Sequence, residues 1–295
     1  MEAIGNFMDY LEFEKRFSSH TLKAYRTDLQ QFARFLREEE QIQVLNDISS
    51  PIIRSWLVKL MEKGIDPRSV NRKITALKTF FKYAMKSNWL HVNPMLKVVS
   101  PKIPKRLPIY LEAGKLDFLL DSTDFSADFE GVRNRLILEL FYGTGMRRAE
   151  LITLKEEDLD MHQKQLKVTG KRNKQRIIPL HDGLLKLFDQ YLPLRGSVCG
   201  TESLVFLTSN GRPLYPELVY RLVKKQLSKV STQKKRSPHV LRHSFATEML
   251  NQGADLNAIK EILGHANLSA TQVYTHNSIE KLRDVYKKAH PRGEE

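Results

Sequence analysis

The chain has 295 residues, 41% of them hydrophobic, which is enough to build cores and excludes an intrinsically disordered chain; at roughly 150 residues per domain the length suggests two domains. Forty-eight Lys and Arg against 34 Asp and Glu give a net charge of +14, shared as +8 up to residue 108 (19 basic, 11 acidic) and +6 beyond it, so a polyanion touched by both halves is the natural partner. One cysteine, Cys199, excludes a disulfide framework and a multi-cysteine zinc site; with no membrane-length apolar run and no signal-peptide pattern after Met1, a soluble cytoplasmic protein with no membrane partner is expected.

The first hundred residues read as helix almost throughout. Ser18, Ser19 and Thr21 offer capping hydroxyls, after which Leu22, Tyr25, Leu29, Phe32 and Leu36 recur at three- and four-residue steps on one helical face. Ser50-Pro51 opens a second helix carrying Ile52, Trp56 and Leu60. Pro67 opens a third, with Val70, Ile74, Leu77, Phe81 and Met85 in register. Arg72, Lys73, Lys78 and Lys82 lie between those apolar positions and are the candidate phosphate contacts of this half.

From Asn93-Pro94 the composition changes. Pro94, Pro101, Pro104 and Pro108 forbid a continuous helix, and Lys97, Lys102, Lys105 and Arg106 stand among them, which predicts an extended basic linker. Beyond it the pattern is mixed. A helix is predicted over 130–140. Gln165–Thr169 and Gln175–Leu180 read as strands joined by Gly170-Lys171-Arg172-Asn173-Lys174, a hairpin with a basic tip. Helices follow over 183–191, 215–229, 238–252, 256–263, 269–274 and 278–289. The fold class is therefore mainly α with a small β-hairpin or sheet, in two domains.

Familiar phosphate and metal motifs are missing: there is no P-loop, no HExxH and no CxxC. What stands out instead is Ser237-Pro238-His239-Val240-Leu241-Arg242-His243-Ser244-Phe245-Ala246-Thr247, then Leu263-Gly264-His265, then Tyr274-Thr275. His239 and Arg242 lie three apart at a helix start and share a face. Gly264 can end its helix and leave His265 on a loop. Two histidines, an arginine and a tyrosine could thus converge on one phosphate. On the residues alone, Arg147 competes with Arg148, and Lys171 with Arg172 and Lys174.

This string resembles the C-terminal signature of tyrosine recombinases, the phage integrase family. Thr144-Gly145-Met146-Arg147-Arg148-Ala149-Glu150-Leu151 is similar to the family's upstream arginine motif, and the 170–180 hairpin to its catalytic-lysine hairpin, although Arg172 stands where the family often has glycine. Thr21-Leu22, Tyr25, Asp28-Leu29 and Asn93-Pro94 extend the likeness over nearly the whole chain, and the arrangement is similar to the Xer type. The resemblance implies an N-terminal helical core-binding (SAM-like) domain over 1–100, a linker over 101–108, and a catalytic domain over 109–295 with a C-terminal exchange helix. Together they would clamp double-stranded DNA.

The resemblance further implies a division of roles. Tyr274 is the nucleophile that forms a 3′-phosphotyrosyl link. Arg147 and Arg242 clamp the phosphate oxygens, and Lys171 protonates the leaving 5′-oxygen. His239 assists proton transfer, His265 donates a hydrogen bond to the phosphate, and Glu150 supports this shell. No cofactor, metal or ATP is implied. The implied partners are a recombination site, a DNA-bound tetramer, a second related recombinase and a DNA translocase of the FtsK type, in chromosome-dimer resolution during cell division. The apolar stripe Ile279, Leu282, Val285 and Tyr286 would pack on a neighbouring protomer. A mobile-element integrase, a type IB topoisomerase and a DNA-binding protein without catalysis are the other readings.

Overall fold

The computed structural model describes residues 2–103, 110–122, 125–170, 173–198, 202–232, 236–264, 276–290 and 292, with the side chains of 113, 122 and 276–281 also outside the description. The chain forms two compact units, Met1–Arg106 and Leu107–Glu295.

The first unit is helical. Its elements are α1 (Glu2–Asp9), continued by a π-helical turn, α2 (Ser19–Glu38), α3 (Ser50–Glu62) and α4 (Pro67–Lys86). The starts follow from local chemistry. The Ser18 hydroxyl accepts the Thr21 N–H, and the Asp66 carboxylate accepts that of Arg68 beside Pro67 in the first turn. Leu29 and Phe32 from α2, Trp56 from α3, and Ile74, Leu77 and Phe81 from α4 make the core, with the Phe32 and Trp56 rings 4.9 Å apart. Each buried side chain of this size contributes about 1.5–3 kcal/mol. Met85, in register with that face, is only half-buried.

The second unit wraps a buried helix. It comprises α5 (Ala113–Ser122), α6 (Phe129–Thr144), α7 (Arg148–Ile152), β1 (Leu159–Asp160), β2 (Gln165–Thr169), β3 (Gln175–Pro179), α8 (Asp182–Val198), α9 (Pro216–Val230), α10 (Pro238–Asn251), α11 (Leu256–Leu263) and α12 (His276–Ala289). The strands form an antiparallel sheet in the order β1-β2-β3, so the hairpin gains a short third strand. Leu166 pairs with Ile178 and Val168 with Arg176. Side chains alternate along a strand, so Arg176 shares the inward face with Ile178. Residues 136–144 of α6 are all buried, which makes it the centre of this unit. Helix α8 continues through Pro193 to Val198, beyond the predicted end at 191. The helix predicted over 269–274 lies outside the described residues.

Helix α12 closes the unit on its own chain. Leu282, Tyr286 and Ala289 are buried in the core, and the Tyr286 hydroxyl donates to the Gly143 carbonyl at 2.7 Å. Among the described residues no helix is long and apolar enough to cross a membrane.

Candidate catalytic site

Two glycine-ended helices shape the site. Helix α6 stops at Gly145, whose φ of +59° places it in the left-handed region that glycine adopts without strain. A Cβ there would lie 2.6 Å from the Phe245 ring and 2.7 Å from a Leu263 methyl, so the turn also brings α10 and α11 close. Helix α11 stops at Gly264, φ +66°, where a Cβ would press on the Arg176 side chain. The glycines of the two sequence motifs therefore serve one junction.

The end of α11 is capped by arginines. A helix leaves its last carbonyls without intrahelical partners. Here the Gly264 N–H takes the Lys260 and Glu261 carbonyls. Arg176 Nε donates to Ile262 O at 2.6 Å, an Arg242 terminal nitrogen to Leu263 O at 2.7 Å, and an Arg147 terminal nitrogen to Gly264 O at 3.2 Å. Three guanidiniums from three elements thus hold three consecutive carbonyls at the negative end of the helix. The other terminal nitrogen of Arg242 donates to Gly145 O at 2.6 Å, which ties the two junctions together.

Glu150 joins the arginines from beneath. It lies in the first turn of α7, where its carboxylate accepts the Arg147 backbone N–H at 2.7 Å, as the third residue of a helix does for the capping residue. The same carboxylate takes the Arg147 side chain at 2.7 Å and both terminal nitrogens of Arg176, at 3.0 and 2.8 Å. Burial would raise its pKa, but the Arg176 fork and the two Arg147 donors reverse this and hold it below the usual carboxylate value. Burial, with Arg147 and Arg176 close by, lowers the Arg242 guanidinium to about 10, so it stays charged at neutral pH.

His239 sits exposed in the first turn of α10, on the face it shares with Arg242. The protein packed around its ring, then Arg242, Arg148 and Arg147, lower its pKa below the usual histidine value. The imidazole is therefore neutral at neutral pH and able to accept a proton. The arrangement offers two fixed, partly exposed cations and a neutral base on one face, which suits a phosphodiester gaining negative charge. Arg148 instead donates to Pro216 O at 3.1 Å, so the structure separates the two adjacent arginines.

Lys171, His265 and Tyr274 lie outside the described residues. Their described neighbours, Gly170 and Gly264, border the cluster: a Cβ at Gly170 would lie 3.2 Å from the Glu150 carboxylate. In the N-terminal unit Arg72, Lys78 and Lys82 are exposed, but Lys73 is not. Its ammonium is buried, donating to Asp28 at 2.7 Å and also to Gln31. The expectation that Lys73 contacts phosphate is corrected accordingly, because its charge is spent inside the helix pair. Arg72 also pairs with Asp28 while keeping 43% of its side chain exposed.

Sequence reasoning missed Arg176. The adjacent pair Ile177-Ile178 leaves the phase of the strand ambiguous, so nothing marked residue 176 as inward. It also missed the C-terminal anchor of α12. Arg292 donates to Asp117 at 3.2 Å, to Glu139 at 3.0 Å and to Asp121 at 2.6 Å. His290 stacks on Tyr286 at 4.8 Å and on His181 at 5.6 Å. Burial is the main cause that pushes His181 down to about 4 and His290 to about 3.

Comparison with known proteins identifies the family. Residues 111–281 match the Phage integrase family, and residues 4–88 match the phage integrase N-terminal SAM-like domain. The chain is 38% identical to tyrosine recombinase XerC of Chlorobaculum parvum, over 97% of this chain and 93% of that one. It is 35% identical to tyrosine recombinase XerD of Staphylococcus haemolyticus, over 98% and 99%. Among solved structures it is similar to the XerH site-specific recombinase bound to its difH substrate in a pre-cleavage complex. That likeness has 25% identity and a TM-score of 0.70, over 88% of this chain and 78% of that one.

Proposed function

The chain belongs to the phage integrase family, the tyrosine recombinases, and from that premise we propose how its residues cut and rejoin DNA. It is a site-specific DNA recombinase, an enzyme that transfers DNA strands. In the proposed reaction the Tyr274 oxygen attacks the scissile phosphorus, and its proton passes to His239. The bond from phosphorus to the 5′-oxygen breaks, and Lys171 protonates that oxygen. A 3′-phosphotyrosyl link and a free 5′-hydroxyl result. The 5′-hydroxyl of another strand then attacks the phosphotyrosine and releases the tyrosine, so the phosphodiester is remade without ATP.

The physical argument rests on charge. A phenol with a pKa near 10 is a weak nucleophile at neutral pH and needs a base and a cationic field. Arg147 and Arg242 supply the field as permanently charged donors, held before substrate arrives, and stabilise the five-coordinate transition state. His265 would add a further donor. The observation that carries this reading is the convergence of Arg147 and Arg242 on successive carbonyls of α11, with the neutral His239 on the same face as Arg242.

The substrate is proposed to be a duplex recombination site, held by both units and the basic segment between them, with Arg72, Lys78 and Lys82 on phosphates. XerC and XerD relatives along almost the whole chain support the Xer type; the family resemblance implies resolution of chromosome dimers by a DNA-bound tetramer, with a second recombinase and an FtsK-type translocase as partners. In that tetramer α12 would leave its own unit and cover a neighbour's.

Wild type and Tyr274→Phe should each be mixed with sheared DNA of the source organism without magnesium, then denatured, and the covalently bound DNA sequenced. DNA trapped at one or a few sites by wild type alone is the expected result. Trapping at sites everywhere would mean a topoisomerase, and trapping by neither protein, with the second recombinase and the translocase also supplied, would overturn the assignment.

A further inference from the structure

Arg176 is buried on the inward face of β3, between partners an aliphatic side chain would suit: it pairs with Val168 and shares its face with Ile178. Its side chain is 4% exposed, so it is not placed to touch DNA. A buried ion pair is a weak source of stability, because desolvation cancels much of the attraction. The position therefore asks for another reason.

Its bonds supply one. Two terminal nitrogens fork onto both oxygens of Glu150, the bidentate geometry in which a guanidinium matches a carboxylate best. Glu150 is 3% exposed, so water screens its charge little. Its other cation is Arg147, which is 37% exposed and donates to it twice. Two arginines thus face one carboxylate, one from inside the core and one from the surface. Without the inner one, Arg147 would be the only cation left hydrogen-bonded to that buried negative charge among the described residues, and its own charge would be largely spent there.

We infer that Arg176 is a positioning residue for strand cleavage: it neutralises Glu150 from within the core and so leaves the charge of Arg147 free for the scissile phosphate. Glu150 fixes where Arg147 points, and Arg176 removes the electrostatic penalty of having a carboxylate do so. The bond to Ile262 O sets the guanidinium at the end of α11, beside the carbonyls that Arg242 and Arg147 hold. This inference rests on the recombinase reading and deepens it.

The test uses the full-length protein and a duplex carrying a site recovered by the trapping experiment, nicked so that cleavage cannot be reversed. The scissile group is either the normal phosphate or a methylphosphonate, in which a methyl group replaces one non-bridging oxygen and removes the charge. Arg176→Met should form the covalent adduct on the order of 10²-fold more slowly on the phosphate, the loss typical of one preorganised donor. The gap to wild type should shrink at least about tenfold on the methylphosphonate, and the double variant Arg176→Met/Glu150→Gln should return to within about tenfold of wild type on the phosphate. A merely structural role would slow both substrates equally, and that result overturns the inference. If Arg176→Met alone does not fold, the double variant carries the test, because it leaves no carboxylate unpaired: a 10²-fold loss in the folded double variant also overturns it. Wild type that traps no Tyr274-dependent site in the sheared DNA, with the second recombinase and the translocase supplied, would refute the recombinase reading itself, a distinct outcome.

Discussion

The two units solve the same electrostatic problem with the same parts and different ends. Each buries a carboxylate between two basic side chains, one buried and one half-exposed. In the N-terminal unit these are Asp28 with the buried Lys73 and the exposed Arg72; in the catalytic unit, Glu150 with the buried Arg176 and the exposed Arg147. The remaining donors make the difference. Lys73 turns to Gln31 and Arg72 to Ala24 O, both on α2, so that cluster joins α2 to α4 and goes no further. Arg176 and Arg147 turn to Ile262 O and Gly264 O, so the Glu150 cluster joins β3, α7 and α11. A buried carboxylate between two cations is a staple when both cations face one neighbour. It becomes a site when the exposed cation faces solvent with its charge uncompensated.

Removing each carboxylate should separate these roles most strongly. Glu150→Ala strands a guanidinium in the core and should destabilise the catalytic unit by about 3–5 kcal/mol, with adduct formation lost wherever the unit still folds. Asp28→Ala strands the Lys73 ammonium, but a lysine can shed its proton when buried and an arginine cannot. In that variant the folded-state pKa of Lys73 drops below its unfolded value, so the folded state binds fewer protons and stability rises with pH towards 10. Chemical denaturation between pH 7 and 10 should therefore show the Asp28→Ala defect shrinking and the Glu150→Ala defect unchanged. Parallel behaviour of the two would break the comparison.

The difference between the clusters also explains what the sequence could show. Helices α2, α3 and α4 were legible because their apolar residues repeat at helical spacing and their start signals, the Ser18 and Asp66 caps and Pro51, are local. Arg147, His239 and Arg242 were legible because they sit in contiguous motifs. Lys73 was misread because a lysine flanked by basic residues looks solvated until Asp28, 45 positions earlier, is seen to face it. Arg176 falls within the hairpin motif, but its burial was invisible for the same reason: its partners, Glu150 and Ile262, are 26 and 86 positions away. Paired buried charges are set by tertiary contact, and no local period encodes them.

A smaller effect sharpens the contrast between the units. The catalytic unit buries His181 and His290 as neutral rings, with folded pKa values of about 4 and 3 against an unfolded value of 6.5. Their contribution to stability is complete above pH 6.5 and is lost as pH falls, because the unfolded chain takes up protons that the folded chain refuses. The slope is about 1.4 kcal/mol per pH unit for each histidine across this window. His290→Phe, which keeps an aromatic ring against Tyr286, should flatten the acid-side loss of stability between pH 6.5 and 4 by about that amount.

The smallest effect asks what fixes α11. This helix has eight residues, and its first turn is capped by the Asp255 carboxylate, which accepts from Asn257 N at 2.9 Å and Ala258 N at 3.1 Å. Ser18 caps α2 in the other unit in the same way. Asp255→Ala and Ser18→Ala should each cost about 1 kcal/mol, which for a catalytic unit of this size lowers Tm by about 2–4 °C. Adduct formation by Asp255→Ala should nevertheless stay within about twofold of wild type, because the far end of α11 is held by Arg147, Arg176 and Arg242 rather than by its own cap. If that variant cleaved more than about tenfold more slowly, a difference well beyond its loss of stability, the dependence would run the other way. The helix would then be positioning the arginines, and the three guanidiniums would be passengers on a scaffold set by its N-terminus.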